Sequence, residues 1–130
     1  MNAANTASMY KNQQIMTAAP EDLTLMLYNG AIRFLSESIQ ELTKGNLEKS
    51  HRANIRAQDI VREFMATLDM QYEIAHNLFV LYDYILYRLM QANVKKDASQ
   101  LQEAKGLVTE LRDAWVGAMK QTRLAKAVGK

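Results

Sequence analysis

Punctuation is what this chain lacks: proline occurs once, at Pro20, and glycine five times in 130 residues. Strand-rich folds need frequent turns, and turns draw on glycine and proline, so this scarcity favours a few long helices. A chain of 130 residues with 48% hydrophobic content suits one domain around one core.

Periodicity places the helices. Pro20 fits a first helical position, where its missing N–H costs nothing, and Glu21 and Asp22 set negative charge at the positive end of the helix dipole. Leu23, Leu27, Ala31, Phe34, Leu35, Ile39 and Leu42 then recur at spacings of three and four until Lys44-Gly45, a glycine stop. Asn46 is placed to cap a second helix reaching about Leu68, with Ala53, Ala57, Ile60, Val61, Phe64 and Leu68 as its stripe. A third helix is expected from about Tyr72 to Asn93. Asp97 and Gln100 have capping-box spacing and open a fourth, carrying Leu101, Ala104, Val108, Leu111, Trp115 and Ala118. Gly30 interrupts the first helix at a cost of about 1 kcal/mol relative to alanine, which a close helix crossing would justify.

Four such helices joined by short links predict an all-α, antiparallel up-and-down four-helix bundle over residues 20–120. Residues 1–19 are polar apart from a few side chains such as Tyr10 and Ile15, and read as a flexible N-terminal arm. Residues 121–130 read as a basic, frayed tail: Lys120, Arg123, Lys126 and Lys130 meet no acidic residue after Asp113.

The third helix is apolar on two sides. Leu78, Tyr82, Ile85 and Leu89 form a core face, with Phe79 and Leu86 beside it, while Val80, Tyr84 and Tyr87 project to nearly the opposite side. In a four-helix bundle that second stripe is exposed unless something lies on it. Tyrosine offers large contact area with a polar tip, so the stripe is expected to take the N-terminal arm, a second copy of the chain, or a foreign helix.

Several function classes are disfavoured. Sixteen basic against fourteen acidic residues give a net charge of +2, with no basic stripe to follow nucleic acid. No apolar run approaches the ~20 residues that cross a bilayer, and Met1 to Ser8 resembles neither a secretory signal nor a transit peptide. The absence of cysteine suits a reducing compartment, so the cytoplasm is expected. Glu48-x-x-His51 and Glu73-x-x-His76 match the Glu-x-x-His pairs of di-iron bundles, yet both fall away from the apolar stripes. At 1.5 Å per residue they also lie roughly 25 Å apart, too far for one metal centre. With no phosphate loop or nucleophile elbow either, neither enzyme activity nor a cofactor is expected. Trp115 should pack in the core, its indole N–H reaching a carbonyl or water.

The run Thr17-Ala18-Ala19-Pro20-Glu21-Asp22-Leu23-Thr24-Leu25-Met26-Leu27-Tyr28-Asn29-Gly30-Ala31-Ile32-Arg33-Phe34-Leu35 resembles the opening signature of the FliS family of flagellar export chaperones. Tyr10 stands upstream where that family has a tyrosine. Ala57-Gln58-Asp59-Ile60-Val61, Leu68-Asp69, Asn77-Leu78, Leu81-Tyr82-Asp83-Tyr84, Ala92-Asn93 and Leu111-Arg112-Asp113-Ala114-Trp115 follow in the family's order. The resemblance implies a cytosolic helical bundle that binds the C-terminal segment of newly made flagellin. It would prevent premature polymerisation and pass its cargo to the export apparatus for flagellar type III secretion. It also implies that the N-terminal arm, through Tyr10 and Ile15, lies over part of the cargo groove. The partner-binding residues expected are therefore Tyr10, Ile15, Val80, Tyr84 and Tyr87, with a homodimeric adaptor as the alternative role.

Overall fold

The apolar spacing resolves into four helices: α1 (Pro20–Thr43), α2 (Leu47–Thr67), α3 (Glu73–Lys95) and α4 (Ala98–Val128). A computed structural model describes residues 20–128, so the arm of residues 1–19 lies outside the described residues. Each helix packs on its two neighbours in the ring α1, α2, α3, α4, which leaves α1 diagonal to α3. With such short links this is the antiparallel up-and-down bundle expected.

The links follow from local chemistry. Gly45 adopts φ +83, a left-handed conformation that glycine enters without steric cost, and turns α1 into α2. Asn46 stands before α2 but makes no side-chain cap; its amide donates instead to Glu41 Oε2 at 2.7 Å. Lys96 ends α3 in the left-handed region at φ 54, and its N–H returns to the Ala92 carbonyl. Asp97 does cap α4, accepting from the Ser99 N–H at 2.9 Å and the Ser99 hydroxyl at 2.6 Å. Those bonds, with one from Gln100, hold the Asp97 carboxyl below the usual carboxylate range. The capping box is incomplete, because the Gln100 side chain reaches the Asp97 carboxylate at 3.3 Å.

Three aromatic rings from three helices fill the centre. Phe64 of α2 stacks against Tyr28 of α1 at 4.5 Å and against Tyr82 of α3 at 5.4 Å. The Tyr28 and Tyr82 hydroxyls meet at 2.6 Å, so two buried polar tips satisfy each other. Burial raises both phenol pKa values, that of Tyr82 the more, because their shared hydrogen bond adds to the rise at Tyr82 and offsets it at Tyr28. Around this layer lie Ala31, Leu35, Ala57, Val61, Ile85, Leu89, Leu101, Ala104 and Val108, all buried.

Two polar contacts fix register between helices. The Ser38 hydroxyl donates to the Ser50 carbonyl at 2.8 Å, and the Ser50 hydroxyl donates to the Ser38 carbonyl at 2.7 Å. Buried Asn54 donates to the Leu89 carbonyl at 3.0 Å and accepts from Gln58 at 2.8 Å.

Three further expectations need correction. The close approach of α1 to α2 occurs at Ser38 and Ser50, not at Gly30, where an added Cβ would lie 3.5 Å from Ile60 Cδ1, an ordinary contact. Helix α4 overruns the expected end at residue 120 and continues to Val128. No proline or glycine interrupts 121–128, and Arg123 reaches Asp22 of α1 at 3.3 Å. Finally, Met119 is buried in α4 while Ala118 is exposed. A 3.5-residue stripe drifts about 20° per heptad on a straight 3.6-residue helix, and over this long element the drift passes burial to the next position.

Candidate partner-binding surface

The outward side of α3 carries exposed apolar side chains along most of its length, with exposed His76 and Asp83 among them. Val80 is 69% exposed, Tyr87 55% and Tyr84 38%, with Phe79, Met90 and Val94 also exposed. On a helix stepping 100° per residue, Phe79, Val80, Tyr84, Tyr87, Met90 and Val94 share the arc opposite Ile85 and Leu89, both fully buried. Phe79 was expected beside the core, but it sits at the rim of that arc. Tyr10 and Ile15, the other two expected contacts, lie outside the described residues.

Tyr84 is the ordered member of the group. Its hydroxyl donates to the Glu103 carboxylate of α4 and accepts from Arg88 Nε at 2.9 Å. Arg88 lies over the Tyr84 ring at 5.3 Å and pairs with Glu103 at 3.3 Å. This hydrogen bond to the Tyr84 oxygen, with the nearby Glu103 charge, raises the Arg88 pKa. The α3–α4 seam is thus closed by a local network that leaves Val80 and Tyr87 making no side-chain hydrogen bond among the described residues.

A second apolar feature lies on the far side of the bundle. Leu23, Leu27, Gly30 and Phe34 of α1, with Ile60 of α2, line an open groove of about 330 Å³. Phe34 carries two cations, with Arg33 and Arg56 guanidinium carbons 5.4 and 5.5 Å from its centroid.

Nothing here gathers ligands for a metal: no group of three His, Cys, Asp or Glu residues converges among the described residues. His51 and His76 are both exposed, as the helical wheel predicts, and His76 Nε2 lies 3.0 Å from the Met70 carbonyl. Glu48 faces Arg52 at 3.9 Å. No described helix is long and apolar enough to cross a membrane. Trp115 is half-buried, and its indole N–H donates to the Glu21 carbonyl at 3.0 Å, tying α4 to the start of α1.

The exposed apolar side chains of α3 and the groove beside Phe34 are the main apolar features on the outside of this helical bundle. Comparison with known proteins supplies the assignment. Residues 2–122 match the family profile described as "Flagellar protein FliS". A flagellar secretion chaperone of Bacillus subtilis is 37% identical over 123 residues, covering 95% of this chain and 92% of the relative. A flagellar secretion chaperone of Salmonella typhimurium is 36% identical over 104 residues, covering 78% of this chain and 77% of that protein. A solved structure of a bacterial flagellar chaperone superposes with a TM-score of 0.73 at 20% identity, covering 92% of this chain and 99% of the other.

The chain belongs to the FliS family, a family of flagellar export chaperones and not of enzymes.

Proposed function

We propose that this chain works in the cytoplasm by holding the disordered C-terminal segment of flagellin, preventing premature polymerisation until the flagellar type III export apparatus takes it over. The observation that carries the reading is the apolar outer face of α3 in a chain of a flagellar secretion chaperone family. Val80, Tyr84 and Tyr87 are its proposed contacts, extended by Met90 and Val94 toward the C-terminal end of α3. We also propose that residues 1–19 serve as an arm whose Tyr10 and Ile15 lie over part of the cargo groove.

Energetics set the scale. Covering about 300 Å² of apolar surface gains about 7 kcal/mol gross at ~25 cal/mol per Å². Ordering a disordered segment costs about 2 to 5 kcal/mol of that. The α3 face alone is therefore a weak contact, which suits a cargo that must later be released.

Val80→Asp combined with Tyr87→Asp tests the surface, since neither side chain makes a hydrogen bond among the described residues. The helical circular dichroism and melting temperature should stay near wild type, while affinity for a flagellin C-terminal peptide falls by at least about tenfold. Unchanged affinity would remove this face from the binding site. A mass that rises with protein concentration, lost in the double variant and indifferent to peptide, would favour the homodimer instead.

A further inference from the structure

Charge is divided unevenly along this chain. Residues 1–113 carry twelve basic and fourteen acidic side chains, whereas residues 114–130 carry Lys120, Arg123, Lys126 and Lys130 and no acidic one. The body is therefore slightly acidic, and the positive excess sits at the end of the chain.

The fold puts much of that excess on a projecting rod. Helix α4 leaves the bundle at Met119, its last buried residue, and continues through nine exposed residues to Val128. At 1.5 Å per residue the projection is about 14 Å long. Among the described residues its side-chain tie to the bundle is the exposed ion pair of Arg123 with Asp22 at 3.3 Å, a kind of contact that holds little in water. Lys120 and Lys126 form no ion pair among the described residues.

The side chains of the projection are sorted. Lys120, Arg123 and Lys126, three residues apart, follow one side of the helix, while Leu124 and Val128, one turn apart, follow another and are 66% and 85% exposed. A row of cations beside bare aliphatic side chains is the pattern of a helix that meets an anionic surface with an apolar interior. Nucleic acid matches the cations but gives Leu124 and Val128 nothing to bury against. One side of a helix under three turns long presents less than the ~800 Å² per partner of a standard protein interface. An anionic bilayer satisfies both sets of side chains, with lipid phosphates at the cations and acyl chains at the aliphatic pair.

We infer that the α4 projection is a peripheral membrane contact for anionic lipid, with Lys120, Arg123 and Lys126 at the headgroups and Leu124 and Val128 at the headgroup–acyl boundary. Each cation near such a surface favours binding by roughly fivefold, so the contact is weak, salt-sensitive and reversible. It is independent of the proposed cargo contact, because Val80, Tyr84 and Tyr87 lie on α3 and take no part in it.

Sedimentation of the full chain with sucrose-loaded vesicles tests it, using phosphatidylcholine alone and phosphatidylcholine with about 30% phosphatidylglycerol, at low and high salt. The chain should pellet with the anionic vesicles at low salt, stay in solution with the neutral ones, and be released by high salt. Lys120→Glu/Lys126→Glu should weaken the partition at least about tenfold. Both lysines are exposed, so their reversal should leave the helical circular dichroism unchanged. Leu124→Gln/Val128→Gln should weaken it about three- to tenfold and keep the salt dependence. Val80→Asp/Tyr87→Asp should bind vesicles as wild type does.

No pelleting with anionic vesicles at low salt would overturn the inference. Equal pelleting by wild type and both α4 variants would do the same, as would a loss confined to the α3 variant, which would move the contact to α3. A short DNA duplex that binds as tightly as the vesicles, with no loss in the glutamine variant, would assign the projection to polyanions in general and overturn it too.

Discussion

Replacing Gly30 by alanine should make this protein more stable, which is unusual for a change at a buried helical glycine. Glycine in a helix interior costs about 1 kcal/mol relative to alanine, because it loses more backbone freedom on folding. A glycine that admits a neighbouring backbone repays that cost, since any Cβ would collide. Among the described residues outside its own stretch of helix, Gly30 faces no backbone: an ideal Cβ would meet Ile60 Cδ1 at 3.5 Å, which is ordinary van der Waals contact at the tip of a flexible side chain. The new methyl meets no steric penalty and lines the groove. The expected gain is about 0.5 to 1 kcal/mol, a rise of roughly 2 to 6 °C in melting temperature for a domain of this size. Urea denaturation followed by circular dichroism at 222 nm, with thermal melts alongside, measures it. A loss of more than about 1 kcal/mol would refute the reasoning, because it would mean that α1 and α2 need the glycine to pack. If the gain is found, the natural glycine carries a standing stability cost.

Other outcomes follow from the packing. Leu101, 1% exposed, should lose about 2 to 5 kcal/mol on truncation to alanine, and Leu111, only partly buried against the same core, should lose less; comparative urea melts rank them. Tyr28→Phe should destabilise by about 1 to 3 kcal/mol by stranding the Tyr82 hydroxyl, and adding Tyr82→Phe should recover part of the loss, a non-additivity that a double-mutant cycle reads directly. Both phenols have folded pKa values raised above their unfolded value, so their contribution is fully present below about pH 10 and is lost as pH rises beyond it. The wild-type chain should therefore unfold in alkali at lower pH than the double phenylalanine variant, as circular dichroism against pH would show. Asn54→Ala should cost about 1 to 3 kcal/mol by leaving the buried Leu89 carbonyl without this donor and Gln58 without its acceptor, and chemical denaturation tests it.

The helices were legible because their signals are local. Pro20 opens α1, the turn at Gly45 ends it, and Asp97 starts α4, each within a residue or two of where composition places it. The outer face of α3 was equally legible, since Val80, Tyr84 and Tyr87 follow the helical period away from a stripe of strong hydrophobes. What spacing missed is polar and long-range. Tyr28, Ser38, Ser50, Asn54 and Gln58 are buried at helical intervals, yet counting apolar residues passes over side chains whose partners come from elsewhere in the chain. Tyr28 meets a partner 54 residues away and Asn54 one 35 residues away, and nothing local marks either. The apolar stripe of α1 is accordingly turned from its expected centre, with Tyr28, Ala31, Leu35 and Ser38 innermost and Leu23 and Leu27 toward the groove. The Arg33, Phe34 and Arg56 cluster shares that cause, because it is assembled only when α2 packs against α1.

Isothermal titration of the full chain with a flagellin C-terminal peptide at several temperatures, with circular dichroism of the mixture, bears most directly on whether the bare faces of this bundle exist to hold cargo. Saturable one-to-one binding with a negative heat-capacity change, and more helix in the mixture than in its separate components, is the expected result. No heat at any temperature and strictly additive spectra would contradict it.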